Sequence, residues 1–265
     1  MIQSNNTQDL IDSWKNSPFP STKLSTYFQV YADLFAHLRF KKCVFVETGV
    51  LGGGSLFMWR DWLGPEARII GIDLNPQALK WKDYGFEIYI GDQGCPNFWR
   101  DTYKKIGVFD AMLDDGGHQS FQQVVTLIEA IKHAGPKSIV AIEDTHTSFM
   151  KDFAAHGTHT FLNYAKTCTD ILTARGHSMY PNRMAQPINN EIFELFKHVY
   201  SIQFYTSIVG FKINNDLNTT PKSQWNHNNA PMPQDFRSKG NSSAEITWPD
   251  PYGVKKINIQ GTKDN

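Results

Sequence analysis

The chain has 265 residues, its 26 lysines and arginines balance its 26 aspartates and glutamates, and 40% of its residues are hydrophobic. This length allows one α/β domain of ordinary size with appendages. A neutral net charge without a long basic run argues against a protein that tracks nucleic-acid phosphates or a membrane surface. No signal-like segment begins the chain and no apolar run has membrane-spanning length, so we expect a soluble cytoplasmic protein. The three cysteines are widely spaced and form no C-x-x-C pair, which indicates neither a disulfide framework nor a cysteine zinc site.

The first predicted helix follows a polar N-terminal arm. Residues 1–21 are polar and contain two prolines, so we expect them to be mobile or bound to a partner. From Lys23 onward the pattern is helical, with Ser21 or Thr22 available as the N-cap. The apolar positions of this stripe, interpreted as core packing, are Leu24, Tyr27, Phe28, Tyr31, Leu34, Phe35 and Leu38.

A strand, a glycine loop and a helix are predicted between Cys43 and Leu63. The strand stops at Glu47, and the loop Gly49 to Ser55 contains four glycines before the helix begins. This order lets backbone approach a ligand closely while helix N–H groups point at it. The loop does not match the dinucleotide fingerprint, and tight packing of helix on strand is an alternative explanation for some of its glycines.

The second and third predicted strands also end in polar residues. The second, Arg68 to Asp73, places an acid about twenty residues after the glycine loop, where nucleotide-binding folds contact ribose hydroxyls. The third, Phe86 to Ile90, precedes Asp92 and Gln93, whose carboxylate and amide can pair with the edge of an adenine. Turn formation is the alternative role for each of these side chains.

Carboxylates and histidines follow the fourth and fifth predicted strands. The fourth runs from Phe109 to Leu113 and is followed by Asp114, Asp115 and His118. The fifth begins at Ser138 and leads to Glu143, Asp144 and His146. If these strands are neighbours in a parallel sheet, their carboxyl ends meet and the acids cluster.

Clustered carboxylates repel one another unless they share a cation or a proton. Oxygen ligation favours Mg²⁺, with Mn²⁺ or Ca²⁺ as alternatives, over zinc. The structural alternatives are that His118 caps the following helix and that Glu143 or Asp144 caps the following turn.

The remaining chain predicts a helix over 160–175, an irregular segment at 177–190 that is either a lid or a connector, and a short helix near 191–198. Two β-rich runs meeting near Thr206 predict a closing hairpin. The polar tail after 214 predicts no core of its own, although Trp225, Phe236, Trp248 and Tyr252 could anchor it. We therefore predict a Rossmann-like, doubly wound, mostly parallel seven-stranded sheet in residues 41–213 that ends in an antiparallel hairpin, preceded by an arm and helix (1–40) and followed by a tail (214–265).

Taken in order, the motifs E-T-G-V-L-G-G-G-S, G-I-D, G-D-Q, L-D-D-G-G-H and E-D-T-H-T-S resemble class I S-adenosylmethionine-dependent methyltransferases. More narrowly, they resemble the metal-dependent sugar O-methyltransferases of macrolide biosynthesis and the related cephalosporin hydroxylase group. The resemblance implies an acceptor that is a small molecule or a saccharide, and we expect a homo-oligomer that binds neither nucleic acid nor membrane.

The resemblance also implies roles for individual residues. Those expected to bind S-adenosylmethionine are Gly49, Ser55, Asp73 on the ribose, Asp92 near the adenine, and Gln93, with Glu47 and Asp114 close to the methionine part. Those expected at the metal are Asp115, Glu143 and Asp144, with His118 as the catalytic base. A metal held by neighbouring sugar hydroxyls would acidify the acceptor, and a nearby histidine could take its proton.

The chain departs from the family pattern in two places. It has Asp115-Gly116-Gly117-His118 where the family usually has Asp-Gly-Ser-His, and nothing matches the family's long N-terminal domain. The competing hypotheses are a catechol-type O-methyltransferase, a cephalosporin-hydroxylase-like oxidase or accessory protein, and a non-enzymatic nucleotide-binding module.

Overall fold

The computed structural model describes residues 5–154, 159–174, 190–214, 243–250 and 253–260. Its main sheet has seven strands in the order β3-β2-β1-β4-β5-β7-β6, in which β7 runs in the direction opposite to the other six. The strands are β1 (Cys43–Thr48), β2 (Ala67–Asp73), β3 (Glu87–Ile90), β4 (Phe109–Asp114), β5 (Ala134–Ile142), β6 (Val199–Phe204) and β7 (Val209–Ile213). The predicted Rossmann-like fold class, with its closing hairpin, is confirmed.

Helices cover this sheet. They are α1 (Asn6–Lys15), α2 (Tyr27–Phe35), α3 (Gly54–Leu63), α4 (Pro96–Ile106), α5 (Ser120–His133), α6 (Phe161–Ala174) and α7 (Asn190–Phe196), with 3₁₀ segments at Ala36–Leu38, Pro76–Tyr84 and Thr145–Phe149. The sequence analysis does not predict α4, which begins with proline at its first position after Cys95 and buries Trp99 and Tyr103.

The core lies on both faces of the sheet because successive strand side chains point to opposite sides. In β1, Phe45 packs with α2 and α3 residues such as Phe35 and Trp59, whereas the next residue, Val46, packs in the second cluster with Trp99. The sheet is therefore buried on both sides, as parallel sheets generally are.

The strand order reverses between β1 and β4, which pair directly. Such a switch point is where open α/β sheets bind ligands. On its other side β4 pairs with β5, so that Asp114 lies opposite Ile142 and its carbonyl accepts the Glu143 N–H at 2.9 Å. The two acidic motifs are therefore adjacent, as expected for neighbouring strands.

The N-terminal residues form a packed helix where the sequence analysis expects a mobile or partner-bound arm. Helix α1 is capped by the Asn5 side chain, and it packs on α2 and α3 with Leu10 fully buried and Trp14 against Phe28. Only three apolar residues, at helical spacing in a polar stretch, make this contact, so the periodic signal is weak. The N-cap expectation is also wrong: α2 begins at Tyr27, with Thr26 at the cap position and no capping side-chain hydrogen bond.

Residues 223–265 form a second compact unit, in which β8 (Ser243–Asp250) pairs antiparallel with β9 (Gly253–Gln260). The sequence analysis predicts no strands there. The candidate lid at 177–190 lies outside the described residues apart from Asn190, as do Trp225, Phe236 and Tyr252. Within the described part of the chain, no helix is long and apolar enough to cross a membrane.

The packing of α1 predicts that Leu10→Ala lowers the free energy of unfolding by about 2–4 kcal/mol, because it leaves a cavity in a closed contact. Gln8→Ala, on the exposed face of the same helix, should change it by less than about 0.5 kcal/mol. Urea denaturation of both variants measures the difference. Equal stabilities of the two variants would show that α1 does not pack as described.

Candidate active site

A cavity of about 570 Å³ opens at the carboxyl ends of β1, β2, β4 and β5. This volume is typical of small-molecule sites. Its walls include the glycine loop, the polar strand ends and the segment before α2, with Ser21, Lys23, Tyr27, Gly49, Ser55, Asp73, Asp92, Gln93, Asp115, His118, Glu143, Asp144 and His146 among the lining residues. The structure therefore brings most of the predicted site residues around one cavity.

The glycine loop touches the acidic loop after β4. Gly49 has φ of 90°, and a Cβ there would lie 1.9 Å from the carbonyl oxygen of Asp115. Gly53 has φ of 80°, and a Cβ there would enter the ring of Trp81. Both positions require glycine because the left-handed conformation and the close approach exclude a side chain.

Asp73 and Asp92, two of the residues predicted to bind the cofactor, lie on the cavity wall. Asp73 accepts the backbone N–H groups of Val50 and Leu51 at 3.0 Å and of Asn75 at 2.8 Å. A carboxylate has about four acceptor sites, so Asp73 retains capacity for a hydroxyl donor. Asp92 is exposed and accepts only the Gly94 N–H among the described hydrogen bonds.

Gln93 lines the cavity, but its amide is used within the protein. The Nε2 donates to Asp114 at 2.9 and 3.2 Å and to Thr126 at 3.3 Å, and the Oε1 accepts the Gly117 N–H at 2.7 Å. These bonds tie the end of β3 to the loop after β4. The Gln93 amide therefore supports the loop after β4, and its expected contact with the cofactor stays a prediction.

Glu47 and Asp114 lie behind the cavity wall, outside the residues that line it. Glu47 accepts hydrogen bonds from Ser55 Oγ at 2.7 Å and Trp59 Nε1 at 3.0 Å, so it anchors the first turn of α3. Burial raises the pKa of Glu47 to about 7 and that of Asp114 to about 6. Because burial disfavours the ionised forms of Glu47 and Asp114, a positive charge nearby would stabilise them.

Asp115, His118 and Asp144 form an open cluster, each partly exposed. His118 Nε2 lies 3.6 Å from Asp144 Oδ2 and 4.0 Å from Asp115 Oδ1, and one donor atom of each residue lies within 4.8 Å of the others. His118 and Asp144 have φ of 57° and 55°, a conformation that costs energy for residues with side chains. Such strain is often found where side chains must be aimed at a ligand.

Lys23 is the site residue that the sequence analysis misses. Its side chain is 1% exposed, and its ammonium pairs with Asp115 and with both oxygens of Glu143, at 3.2 and 3.3 Å. Burial alone would lower the pKa of Lys23, but Glu143 and Asp115 outweigh it and raise that pKa above its usual value. Lys23 is therefore a charged group at the centre of the acidic cluster.

Tyrosines complete the buried half of the cluster. Tyr31 donates to Glu143 Oε2 at 2.5 Å, and Tyr27 donates to Asp144. Both belong to the stripe predicted as core, and their rings are indeed buried. The sequence signal that could have identified these residues is that Lys23, Tyr27 and Tyr31 recur every four residues and that each side chain ends in a polar group.

The donor set fits a hard divalent cation in part. Asp115 and Asp144 present carboxylate oxygens beside His118, and Mg²⁺ commonly binds through one or two carboxylates and water. The third predicted ligand, Glu143, is 2% exposed and engaged by Lys23 and Tyr31. His146, 3.9 Å from Asp144, is more exposed and sits at the margin.

No protein-family model matches the sequence. A solved structure of the MycE methyltransferase, in complex with Mg, S-adenosylhomocysteine and mycinamycin VI, superposes with a TM-score of 0.66 at 19% identity, covering 80% of this chain and 54% of that one. The chain has the class I methyltransferase fold.

The chain's relatives are sugar O-methyltransferases of natural products. It is 28% identical over 188 residues to the 8-demethyl-8-alpha-L-rhamnosyl tetracenomycin-C 2'-O-methyltransferase of Streptomyces olivaceus, covering 66% of this chain and 48% of the relative. It is 28% identical over 154 residues to the mycinamicin VI 2''-O-methyltransferase of Micromonospora griseorubida, covering 56% and 38%. The chain thus spans about half or less of the length of these relatives.

The environment of Glu47 predicts a pH-dependent effect of Glu47→Gln. The raised pKa means that the unfolded state loses its proton first, so this group reduces stability as pH rises from about 4.5 to 7. The variant removes that cost, so it should be more stable than wild type by about 1–3 kcal/mol at pH 8, with a smaller difference at pH 5.

Denaturation at the two pH values measures this effect. Glu87→Gln is the matched control, because Arg68 lowers the pKa of Glu87 and that variant should lose stability at pH 8. A Glu47→Gln protein less stable than wild type at pH 8 would contradict the assignment.

Proposed function

We propose that this protein is an S-adenosylmethionine-dependent, Mg²⁺-assisted O-methyltransferase that acts on a sugar hydroxyl of a saccharide or glycosylated natural product. The observation that carries the proposal is one cavity with the glycine loop and Asp73 at one end and the Asp115–His118–Asp144 cluster at the other. The cofactor wall and the acid-base cluster thus face a shared space.

At the cofactor end, the loop from Gly49 to Gly54 lines the cavity in part, and α3 begins there without a side-chain cap. Asp73 would accept a ribose hydroxyl, and Asp92 would face the adenine. Glu47 would stabilise the methionine end from behind Ser55. When bound, S-adenosylmethionine would supply an electrophilic methyl group and the divalent cation would lower the pKa of the acceptor hydroxyl.

At the acceptor end, Asp115 and Asp144 would hold the cation, and His118 would take the hydroxyl proton at Nε2. Asp144 lies close enough to His118 to stabilise the imidazolium that results. Because sugar hydroxyls are very weak acids, alignment and proton removal are the main tasks left to the protein. The name of the tetracenomycin relative, whose substrate carries a rhamnosyl group, supports this acceptor class over a catechol.

We also propose that the protein acts as a homo-oligomer in the cytoplasm. The known sugar-modifying relatives and the balanced charge of the chain support a small glycosylated acceptor.

The role of His118 predicts that His118→Ala lowers kcat by about 10²- to 10⁴-fold, the range for losing a general base. Binding of S-adenosylmethionine should stay within a few-fold of wild type. Turnover would be followed as mass gain of one methyl group on a panel of monosaccharide glycosides and catechols. His146→Ala is the control, and its kcat should fall by less than about tenfold. An equal fall in kcat in both variants would show that His118 is not the base.

The metal requirement predicts that EDTA abolishes methyl transfer and that added Mg²⁺ restores it, because the acceptor would otherwise keep its high pKa. Isothermal titration of the EDTA-treated protein with S-adenosylmethionine should still show binding. Full activity in EDTA would refute the metal-assisted mechanism while leaving methyl transfer intact.

A further inference from the structure

Lys23 occupies the position between two of the three carboxylates that the proposed function assigns to a metal. Its ammonium contacts Asp115 Oδ2 and both oxygens of Glu143, and it lies 5.6 Å from the ring centre of Tyr31. The side chain of Lys23 is 1% exposed, so its ammonium is paired with carboxylates instead of being solvated. Lys23 is therefore a built-in cation of the site.

The contacts of Lys23 divide the acidic cluster into two halves. Asp115 faces both: its Oδ2 pairs with Lys23, and its Oδ1 lies on the side of His118 and Asp144. Glu143 belongs entirely to the buried half, since both of its oxygens contact Lys23 and one also accepts from Tyr31. The atoms close enough to share one ion accordingly come from Asp115, His118 and Asp144, and exclude Glu143.

The charges of these side chains support the same division of the acidic cluster into a buried half and an open half. Burial raises the pKa of Glu143 to about 8, and Lys23 opposes that rise by placing a positive charge beside Glu143 and Asp115. A divalent cation bound by Asp115 and Asp144 lies near the like charge of Lys23, which weakens its binding. A divalent cation bound by all three carboxylates needs the oxygens that Lys23 holds.

We propose that Lys23 is a resident counter-ion of the acidic cluster that competes with the divalent cation for Asp115 and so sets the metal affinity of the site. This inference rests on the proposed function for the presence of a metal in the working enzyme. In the metal-free protein, the positive charge of Lys23 offsets the repulsion between the carboxylates. When the divalent cation binds, it replaces the Lys23 ammonium beside Asp115. Lys23 is thus a determinant of metal affinity supplied by the segment before α2.

The test uses the full-length protein, stripped of metal, without cofactor or acceptor. Lys23→Met keeps the aliphatic stem and removes the charge, and Lys104→Met removes an exposed lysine that is paired only with Asp101 among the described ion pairs. Mn²⁺ binding followed by electron paramagnetic resonance, and Mg²⁺ binding by calorimetry, should be tighter in Lys23→Met by about tenfold or more. Lys104→Met should match wild type, and equal or weaker binding by Lys23→Met would overturn the proposal.

Thermal unfolding provides a second measurement, which remains informative even if Lys23→Met does not fold without metal. Without Lys23 the buried carboxylates lack a cation, so Lys23→Met should be destabilised or unfolded in EDTA and restored by Mg²⁺ or Mn²⁺, whereas wild type folds in both conditions. A variant that stays unfolded in saturating metal would contradict the exchange.

This experiment separates the two proposals. Wild type that binds no metal and methylates in EDTA, together with Lys23→Met that gains a metal site, would uphold the role of Lys23 and refute the metal-assisted mechanism. Metal-dependent methylation with identical metal affinity in both proteins would uphold the function and refute the role of Lys23.

Discussion

Three carboxylates lie together at the ends of β4 and β5, and the free-energy cost of their mutual repulsion constrains the rest of this site. The parallel pairing that aligns Asp114 with Ile142 brings Asp115, Glu143 and Asp144 to one sheet edge. Carboxylates this close cannot all remain ionised without positive charge or hydrogen-bond donors. Lys23, Tyr27 and Tyr31 supply both from the N-terminal side, which makes α2 and the segment before it part of the site as well as part of the core.

The cofactor wall and the acidic cluster are joined by short backbone contacts. Gly49 lies against the carbonyl of Asp115, and a Cβ on Gly116 would lie 1.9 Å from the amide oxygen of Gln93. Gln93 in turn holds Asp114 and Gly117. The loops after β1 and β3 therefore both pack against the loop that carries Asp115 and His118.

Sequence patterns located the strand ends well and the roles of single side chains less well. Asp73, Asp115 and Asp144 line the cavity, as strand-end reasoning predicts. Gln93 and Glu143 also reach it, but their polar atoms are engaged by partners distant in sequence. Hydrogen-bond partners of a buried group depend on which elements pack nearby, and no local pattern encodes that.

By itself, the sequence determined most of the alternation of strands and helices and which strands end in glycines or acids, because these follow from periodicity and residue type. Tertiary structure alone decided that α1 packs on the domain and that Lys23 reaches Asp115 and Glu143, 92 and 120 residues away. That ion pair forms because burial makes an uncompensated charge costly, so the carboxylates and the lysine stabilise one another only once the sheet and α2 have come together.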